Sequence, residues 1–207
     1  TEILAPYAKR TGGKFYVTGP DLANPDLPEA ARKSRAAFEA RYGANPDLYG
    51  KIDVVNWGVK SAPLPKDTFD FILTARSVHG WMGQPGMAEK TFREFYDALK
   101  PGGILALEQH RANPGPQDPK APTGYVTEDY VITLAKQAGF TLAAKSELNA
   151  NPKDTKDHPF GVWTLPPMLR STAYGSKVDE DPSFDHSKYI AIGESDRMTL
   201  KFVKEKK

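Results

Sequence analysis

Strand-like apolar runs and amphipathic helical segments alternate along most of this chain, and that alternation restricts the fold more than any other feature. Lys14-Phe15-Tyr16-Val17-Thr18 is a short β-prone run that stops at Gly19-Pro20, and Asp26-Leu27-Pro28-Glu29 opens a helix to about Tyr42. A second apolar run at 52–56 and a third at 69–74 flank the Pro-containing loop Ala62-Pro63-Leu64-Pro65. A helix from about Met87 to Leu99 carries Phe92, Phe95, Tyr96 and Leu99 at mixed three- and four-residue spacings, and Lys100-Pro101-Gly102-Gly103 stops it before the buried strand 104–107. Thr127 reads as an N-cap followed by the acidic first-turn pair Glu128 and Asp129, for a helix to about Ala138 that Gly139 ends. A strand over 140–146 follows, and the run 196–204 sets Met198, Leu200 and Phe202 inward in a final strand.

Such a pattern predicts an α/β fold: a doubly wound, mostly parallel sheet with helices on both faces and an antiparallel final strand. The runs 15–17, 53–55, 71–73 and 104–106 are expected as parallel neighbours or near-neighbours in one sheet, covered on both faces because they are apolar throughout. One domain over 1–207 is the reading, with a polar, Pro-rich loop insertion at about 149–194. Lys201, Lys204, Lys206 and Lys207 read as a solvated end.

Composition narrows the partners. Lys plus Arg number 28 against 26 for Asp plus Glu, so the basic excess that phosphate neutralisation needs is missing, and nucleic acid is not an expected partner. No apolar run approaches the roughly 20 residues of a membrane span, so no membrane is expected either. The absence of cysteine excludes disulfides and thiolate chemistry without fixing a compartment, which could be the cytoplasm or, after export, the periplasm. The oligomeric state is not legible.

The most specific match to a known family is Leu99-Lys100-Pro101-Gly102-Gly103-Ile104-Leu105, which resembles the approach to the fifth strand of the class I S-adenosylmethionine-dependent methyltransferases. Upstream, Ala62-Pro63-Leu64-Pro65-Lys66-Asp67-Thr68-Phe69-Asp70-Phe71-Ile72 resembles that family's entry into its fourth strand. The opening Thr1-Glu2-Ile3-Leu4-Ala5 resembles the helix after its glycine-rich turn. Arg76-Ser77-Val78-His79-Gly80-Trp81 and Glu108-Gln109-His110-Arg111-Ala112 further resemble a bacterial, often exported subgroup.

The resemblance implies a Rossmann-like methyltransferase fold, S-adenosylmethionine as cofactor and a small-molecule acceptor. It also implies that the glycine-rich turn and the central first strand lie upstream of Thr1, in a protein that extends beyond this sequence. The acidic residue that bonds the ribose would fall near Gly19, with Asp21 two residues late, and Lys60 and Ser61 stand where an acidic residue commonly meets the adenine. Asp21, Ser61, Thr74 and Ala75 are thus the cofactor-binding candidates that the resemblance supplies.

Ligands of open α/β sheets sit beyond the carboxyl ends of the strands, and two polar sets fall there in sequence. His79, His110 and Glu108 are the catalytic candidates, a base being useful when the acceptor must lose a proton. Arg76 and Arg111 are candidates for a substrate carboxylate or phosphate, and Trp81 for stacking. The bland alternative has the histidines bracing loops and Glu108 paired with Arg111. Asp154, Asp157 and His158, with Asp185 and His186, do not have the spacing of a hydrolytic zinc site, so no metal is expected. The segment from Pro159 to Pro167, with Phe160, Trp163 and Leu165, reads as a packed loop or a lid. Two rival functions remain: a methyltransferase-like module that binds a ligand or partner without chemistry, and a nicotinamide-dependent oxidoreductase on a related fold, which the family matches disfavour.

Overall fold

The computed structural model describes residues 1–206, and the chain divides into two compact units, Thr1–Leu64 and the remainder from Pro65. In the first unit α1 (Leu4–Arg10) leads to β1 (Phe15–Pro20), α2 (Glu29–Gly43), the short α3 (Pro46–Tyr49) and β2 (Ile52–Trp57). β1 and β2 pair in parallel from Phe15 opposite Ile52 to Pro20 opposite Trp57. Arg35 of α2 ties both strands: its guanidinium donates to the Pro20 carbonyl at 3.0 Å and the Val54 carbonyl at 3.3 Å. That close approach leaves no space for a side chain at Gly19, where a Cβ would stand 2.8 Å from Val54 Cγ1 and 3.3 Å from Arg35 Cδ.

The second unit holds β3 (Phe69–Ala75), α4 (Val78–Met82), α5 (Met87–Ala98), β4 (Leu99–His110), α6 (Glu128–Ala138), β5 (Thr141–Ser146), a 3₁₀ turn (Gly161–Thr164), α7 (Ser187–Ile192) and β6 (Arg197–Val203). The strand order is β3-β4-β6-β5, with β3 and β4 parallel and β6 antiparallel to both of its neighbours. Leu105, Leu107 and Gln109 of β4 stand opposite Phe202, Leu200 and Met198 of β6, and all six are buried. With Phe92 and Phe95 of α5 and Val131 and Leu134 of α6 they make the core, each large apolar side chain contributing on the order of 2 kcal/mol.

The expected single sheet is corrected to two, one in each unit. Full coverage is also corrected for β3: its side chains alternate, so Ile72 and Thr74 share the face of Leu105 and Leu107 under the helices. Phe71 and Leu73 turn to the opposite face and stay 53% and 48% exposed. Among the described residues no strand pairs with the other edge of β3.

The Lys-Pro-Gly-Gly stop is part of β4 rather than a turn before it. Leu99 already pairs with Phe69, and an irregularity between Phe69 and Phe71 absorbs the extra residues. Gly102 has φ +83° and gives its N–H to the Lys204 carbonyl at 2.7 Å. A Cβ on Gly103 would lie 2.8 Å from the Lys100 carbonyl oxygen. Lys204 itself is not solvated as its neighbours suggested. It is 9% exposed, and its ammonium donates to the Leu99 carbonyl at 2.7 Å and to Asp67 at 2.8 Å while lying 4.9 Å from the Tyr96 ring centre. Lys207 lies outside the described residues.

Thr127 occupies the N-cap position of α6, but its hydroxyl caps nothing; Gln117 accepts the Thr127 N–H at 2.6 Å. The short α4 was not visible as periodicity, because Val78-His79-Gly80-Trp81-Met82 is too brief to show a repeat. No helix among the described residues is long and apolar enough to cross a membrane.

Candidate active site

The carboxyl ends of β3 and β4 lie side by side in the second unit, and the polar residues after them converge there. Arg76 leaves β3 with φ +51°, a left-handed conformation unfavourable for a side-chain-bearing residue, and donates its N–H to the Glu108 carbonyl at 2.8 Å. That turn delivers α4, and with it His79, beside the end of β4. The His79 and His110 ring centres are 5.6 Å apart, so the two histidines singled out in the sequence share one site.

Their holders are residues that the sequence did not single out. Gln109, fully buried, places its side-chain nitrogen 3.1 Å from His79 Nδ1, and Ser195 Oγ is 2.5 Å from His110 Nδ1. Trp163, on the 3₁₀ turn, stands edge-on to His79 at 5.7 Å, and Tyr125 edge-on to His110 at 6.5 Å. Trp163 is fixed by backbone: Val162 N–H donates to the Thr123 carbonyl at 2.9 Å. The approach is so close that a Cβ on Gly161, at φ +60°, would fall 2.2 Å from that oxygen. A Cβ on the facing Gly124 would meet Val162 Cγ2 at 2.5 Å. The far side of Trp163 stacks on Tyr174 at 4.6 Å.

Burial, joined by the charges of His79, Arg76 and Arg197, pushes His110 down to about 3. Burial and Arg76 hold His79 below the ordinary histidine value. Both rings are therefore neutral near pH 7. Glu108 is raised by burial against the opposing charges of Arg197 and Arg76.

Several candidates have other employment. Glu108 does not orient a histidine and does not pair with Arg111; it meets Arg197 at 2.7 Å. Arg111 is taken up by carboxylates, with two hydrogen bonds each to Asp196 and Glu147 and Glu128 at 3.8 Å, which leaves no fork for a substrate anion. Trp81 is core: it packs edge-on against Phe92 and Phe95 and is buried, and the tryptophan beside His79 is Trp163. Arg76 stays exposed, and its guanidinium is in no ion pair among the described residues. Thr74 is buried on the helix-covered face, whereas Ala75 is exposed at the end of β3. In the first unit Asp21 accepts the Ala23 N–H at 3.0 Å through one oxygen, and the Ser61 hydroxyl is used twice by Gly58.

Asp154 and His158 do meet, at 2.8 Å, but as part of a buried brace. Asp154 also accepts the Tyr125 hydroxyl at 2.9 Å, the Lys156 N–H at 2.9 Å and the Asp196 N–H at 2.7 Å. Asp157 turns away to Thr155 and Asp185 to the Ser187 N–H. Among the described residues no group of three His, Cys, Asp or Glu could hold a metal.

An α/β unit whose β3–β4 pair is parallel, with polar side chains gathered at the carboxyl edge of that pair, belongs to a Rossmann-like ligand-binding class. Residues 1–107, more than half of the chain, match the family model described as a methyltransferase domain, and the chain belongs to that family. The family is that of the class I S-adenosylmethionine-dependent methyltransferases. Among solved structures, the [4+2]-cyclase SpnF is similar at 17% identity over 97% of this chain and 79% of that one, with a TM-score of 0.56. A S-adenosylmethionine-dependent methyltransferase from Methanosarcina mazei is similar at 14% identity, over 97% and 87% of the two chains, with a TM-score of 0.53. One from Mesorhizobium loti shares 16% identity over 97% and 85%, with a TM-score of 0.50. No curated protein matches the sequence. These likenesses support the fold; since one of the folds carries a cyclase, chemistry has to be argued from the family and the site.

Proposed function

We propose that this chain transfers a methyl group from S-adenosylmethionine to a small molecule held against His79, His110 and Trp163. The observation that carries this is the pair of neutral imidazoles 5.6 Å apart at the carboxyl edge of β3 and β4, in a chain of the methyltransferase family. When bound, the cofactor supplies an electrophilic methyl carbon whose bond to sulfur breaks as the bond to the acceptor forms. What remains for the protein is positioning, because the reaction needs an in-line nucleophile more than it needs strong acid or base.

His110 does that positioning. In the tautomer that donates from Nδ1 to Ser195 Oγ, its Nε2 is left to accept the N–H or O–H of the methyl acceptor and aims the lone pair. A ring held at about 3 does not keep that proton, which passes on to solvent. Arg76, free of carboxylates, binds an anionic group of the substrate, and Trp163 covers its flat face. In the first unit, Asp21 fits the ribose of the cofactor by chemistry: one carboxylate oxygen is used by the Ala23 N–H, and the other can accept from a hydroxyl. The alternative of an inactive binding module has no observation in its favour.

Calorimetry with S-adenosylhomocysteine and the full chain tests the reading. Saturable binding, with a labelled methyl group from S-adenosylmethionine appearing on small molecules of a host extract, is the expected result. An absence of heat at millimolar ligand would overturn it.

A further inference from the structure

Gln109 sits where β4 otherwise buries leucine, between Leu107 and the end of the strand, and three of its four hydrogen-bonding directions, including both N–H donors, are used. Its oxygen accepts the Val78 N–H at 3.1 Å; its nitrogen donates to the Gly124 carbonyl at 2.9 Å and lies 3.1 Å from His79 Nδ1. The two backbone partners fix which end of the amide is which. A backbone N–H can only donate, so it must meet the oxygen; a backbone carbonyl can only accept, so it must meet the NH₂. The group facing His79 Nδ1 is consequently a donor, and a neutral imidazole that accepts at Nδ1 carries its proton on Nε2.

We infer that Gln109 is a positioning residue that locks His79 as the Nε2–H tautomer, so that His79 presents a hydrogen-bond donor to the substrate and recognises an oxygen acceptor there, a carboxylate, carbonyl or phenolic oxygen. No group among the described residues bonds His79 Nε2, and that atom is absent from the buried polar atoms without partners, so it is accessible to a ligand on the side of Trp163. The assignment removes His79 as a base: its only bare nitrogen is capped by the amide. A donor at Nδ1 also disfavours the imidazolium, in the same direction as burial, whereas an amide oxygen at that place would favour it. Gln109 reaches further than one ring. Through Gly124 it holds the turn that packs on Val162, and so sets His79 and Trp163 against each other.

The oxygen-acceptor specificity rests on the methyl-transfer reading only in calling the ligand a methyl acceptor; the tautomer does not rest on it. Long-range ¹H–¹⁵N spectra of the ¹⁵N-histidine-labelled full chain at pH 7 read the tautomer directly, with the His79 signals assigned by their loss in His79→Gln. The four histidines keep the spectrum resolvable. His79 is expected to show a bare Nδ1 and a protonated Nε2 with no cofactor added. In Gln109→Leu, if folded, the pattern should become a mixture of the two tautomers. A protonated Nδ1, a mixture in the native chain, or an imidazolium overturns the assignment, and the native spectrum decides even if the variant fails to fold.

Benzoate and benzylamine then serve as probes of equal ring size. A shift of the His79 Nε2 signal with benzoate, absent with benzylamine, supports the oxygen-acceptor class; the reverse, or a shift with neither, overturns it. Failure of S-adenosylhomocysteine to bind while the tautomer holds would overturn methyl transfer and leave this assignment standing.

Discussion

Arg111 grips Asp196 through two near-parallel hydrogen bonds, Nε to Oδ2 at 3.0 Å and Nη2 to Oδ1 at 2.9 Å, joining the end of β4 to the start of β6. Asp196 is buried, and burial alone would raise its pKa, but the bonds from Arg111, Lys156 and the Asn151 N–H outweigh that and leave it at about 2. The pair is therefore a structural clasp occupying a residue type that the sequence offers as a substrate anchor. Arg111→Ala leaves the buried Asp196 carboxylate only Lys156 and the Asn151 N–H as partners of those that hold its charge, and should cost about 1–3 kcal/mol, read as a lower urea midpoint. Arg111→Lys, which keeps the charge but not the fork, should recover part of that stability. Ligand affinity per folded molecule should stay within about twofold in both. A Lys variant with native stability and lost binding would return Arg111 to the substrate site.

Gly161 makes the second prediction. Its φ of +60° and the 2.2 Å that would separate a Cβ from the Thr123 carbonyl oxygen mean that Gly161→Ala is both strained and blocked by backbone, which cannot swing aside as a side chain can. The loss should exceed about 2 kcal/mol. It should also be local first, with Trp163 leaving His79 before the sheet melts. Trp163 emission, followed in a chain whose other tryptophans, Trp57 and Trp81, are replaced by Phe, should shift red at denaturant concentrations that leave far-ultraviolet dichroism unchanged.

Much of this arrangement could be read from sequence, and the unread parts share a cause. Strand-helix alternation placed β1, β2, β3 and β4 and the parallel sense of the β1–β2 and β3–β4 pairs, though not their division into two sheets, because apolar runs between helix stops are a local signal. His79 and His110 were found together because one follows β3 and the other ends the adjacent β4. Ser195, 85 residues from His110, was not associated with them, and Trp163 only through the reading of 159–167 as a packed loop or a lid, since such pairings are made only by the fold. Gln109 did leave a trace: a polar residue in phase with Leu105 and Leu107 must satisfy its amide inside the core or not exist there. Arg111 and Trp81 misled for the reverse reason. Their types suit ligand binding, and nothing local reveals that carboxylates and phenylalanines of the same unit already occupy them.

Lys204 supplies a prediction on the fold alone. Its ammonium satisfies the Leu99 carbonyl and Asp67 at the irregular start of β4, a place where a long cation is stabilising only because both partners are fixed. Lys204→Met keeps the stem and removes the charge, taking the ammonium away from the Leu99 carbonyl and Asp67, and should cost about 1–3 kcal/mol in thermal or urea unfolding. Lys201→Met, at an exposed neighbouring position, should change stability by less than about 0.5 kcal/mol. Equal effects would mean that Lys204 is solvated as the sequence suggested.

The depressed histidines set the acid limb of stability. In the unfolded chain His110 titrates near 6.5; in the folded protein it stays neutral down to about 3. Between those values the unfolded state binds more protons, so stability rises with pH across that window and is lost as pH falls from 6.5 toward 3. His79, shifted in the same direction, adds to the loss. Asp196 acts in a lower window, its contribution present above 3.8 and lost as pH falls through about 2. Glu108, raised by burial, opposes the histidines, because above 4.5 its folded form holds a proton longer than its unfolded form. The difference between native and His110→Gln chains cancels these common contributions. The stability lost between pH 7.5 and pH 4.5 should be smaller in the variant by about 2–3 kcal/mol, measured by urea unfolding at each pH. An unchanged difference would mean that His110 charges freely in the folded protein, and it would also remove the basis for assigning that ring a neutral, lone-pair-aiming role in methyl transfer.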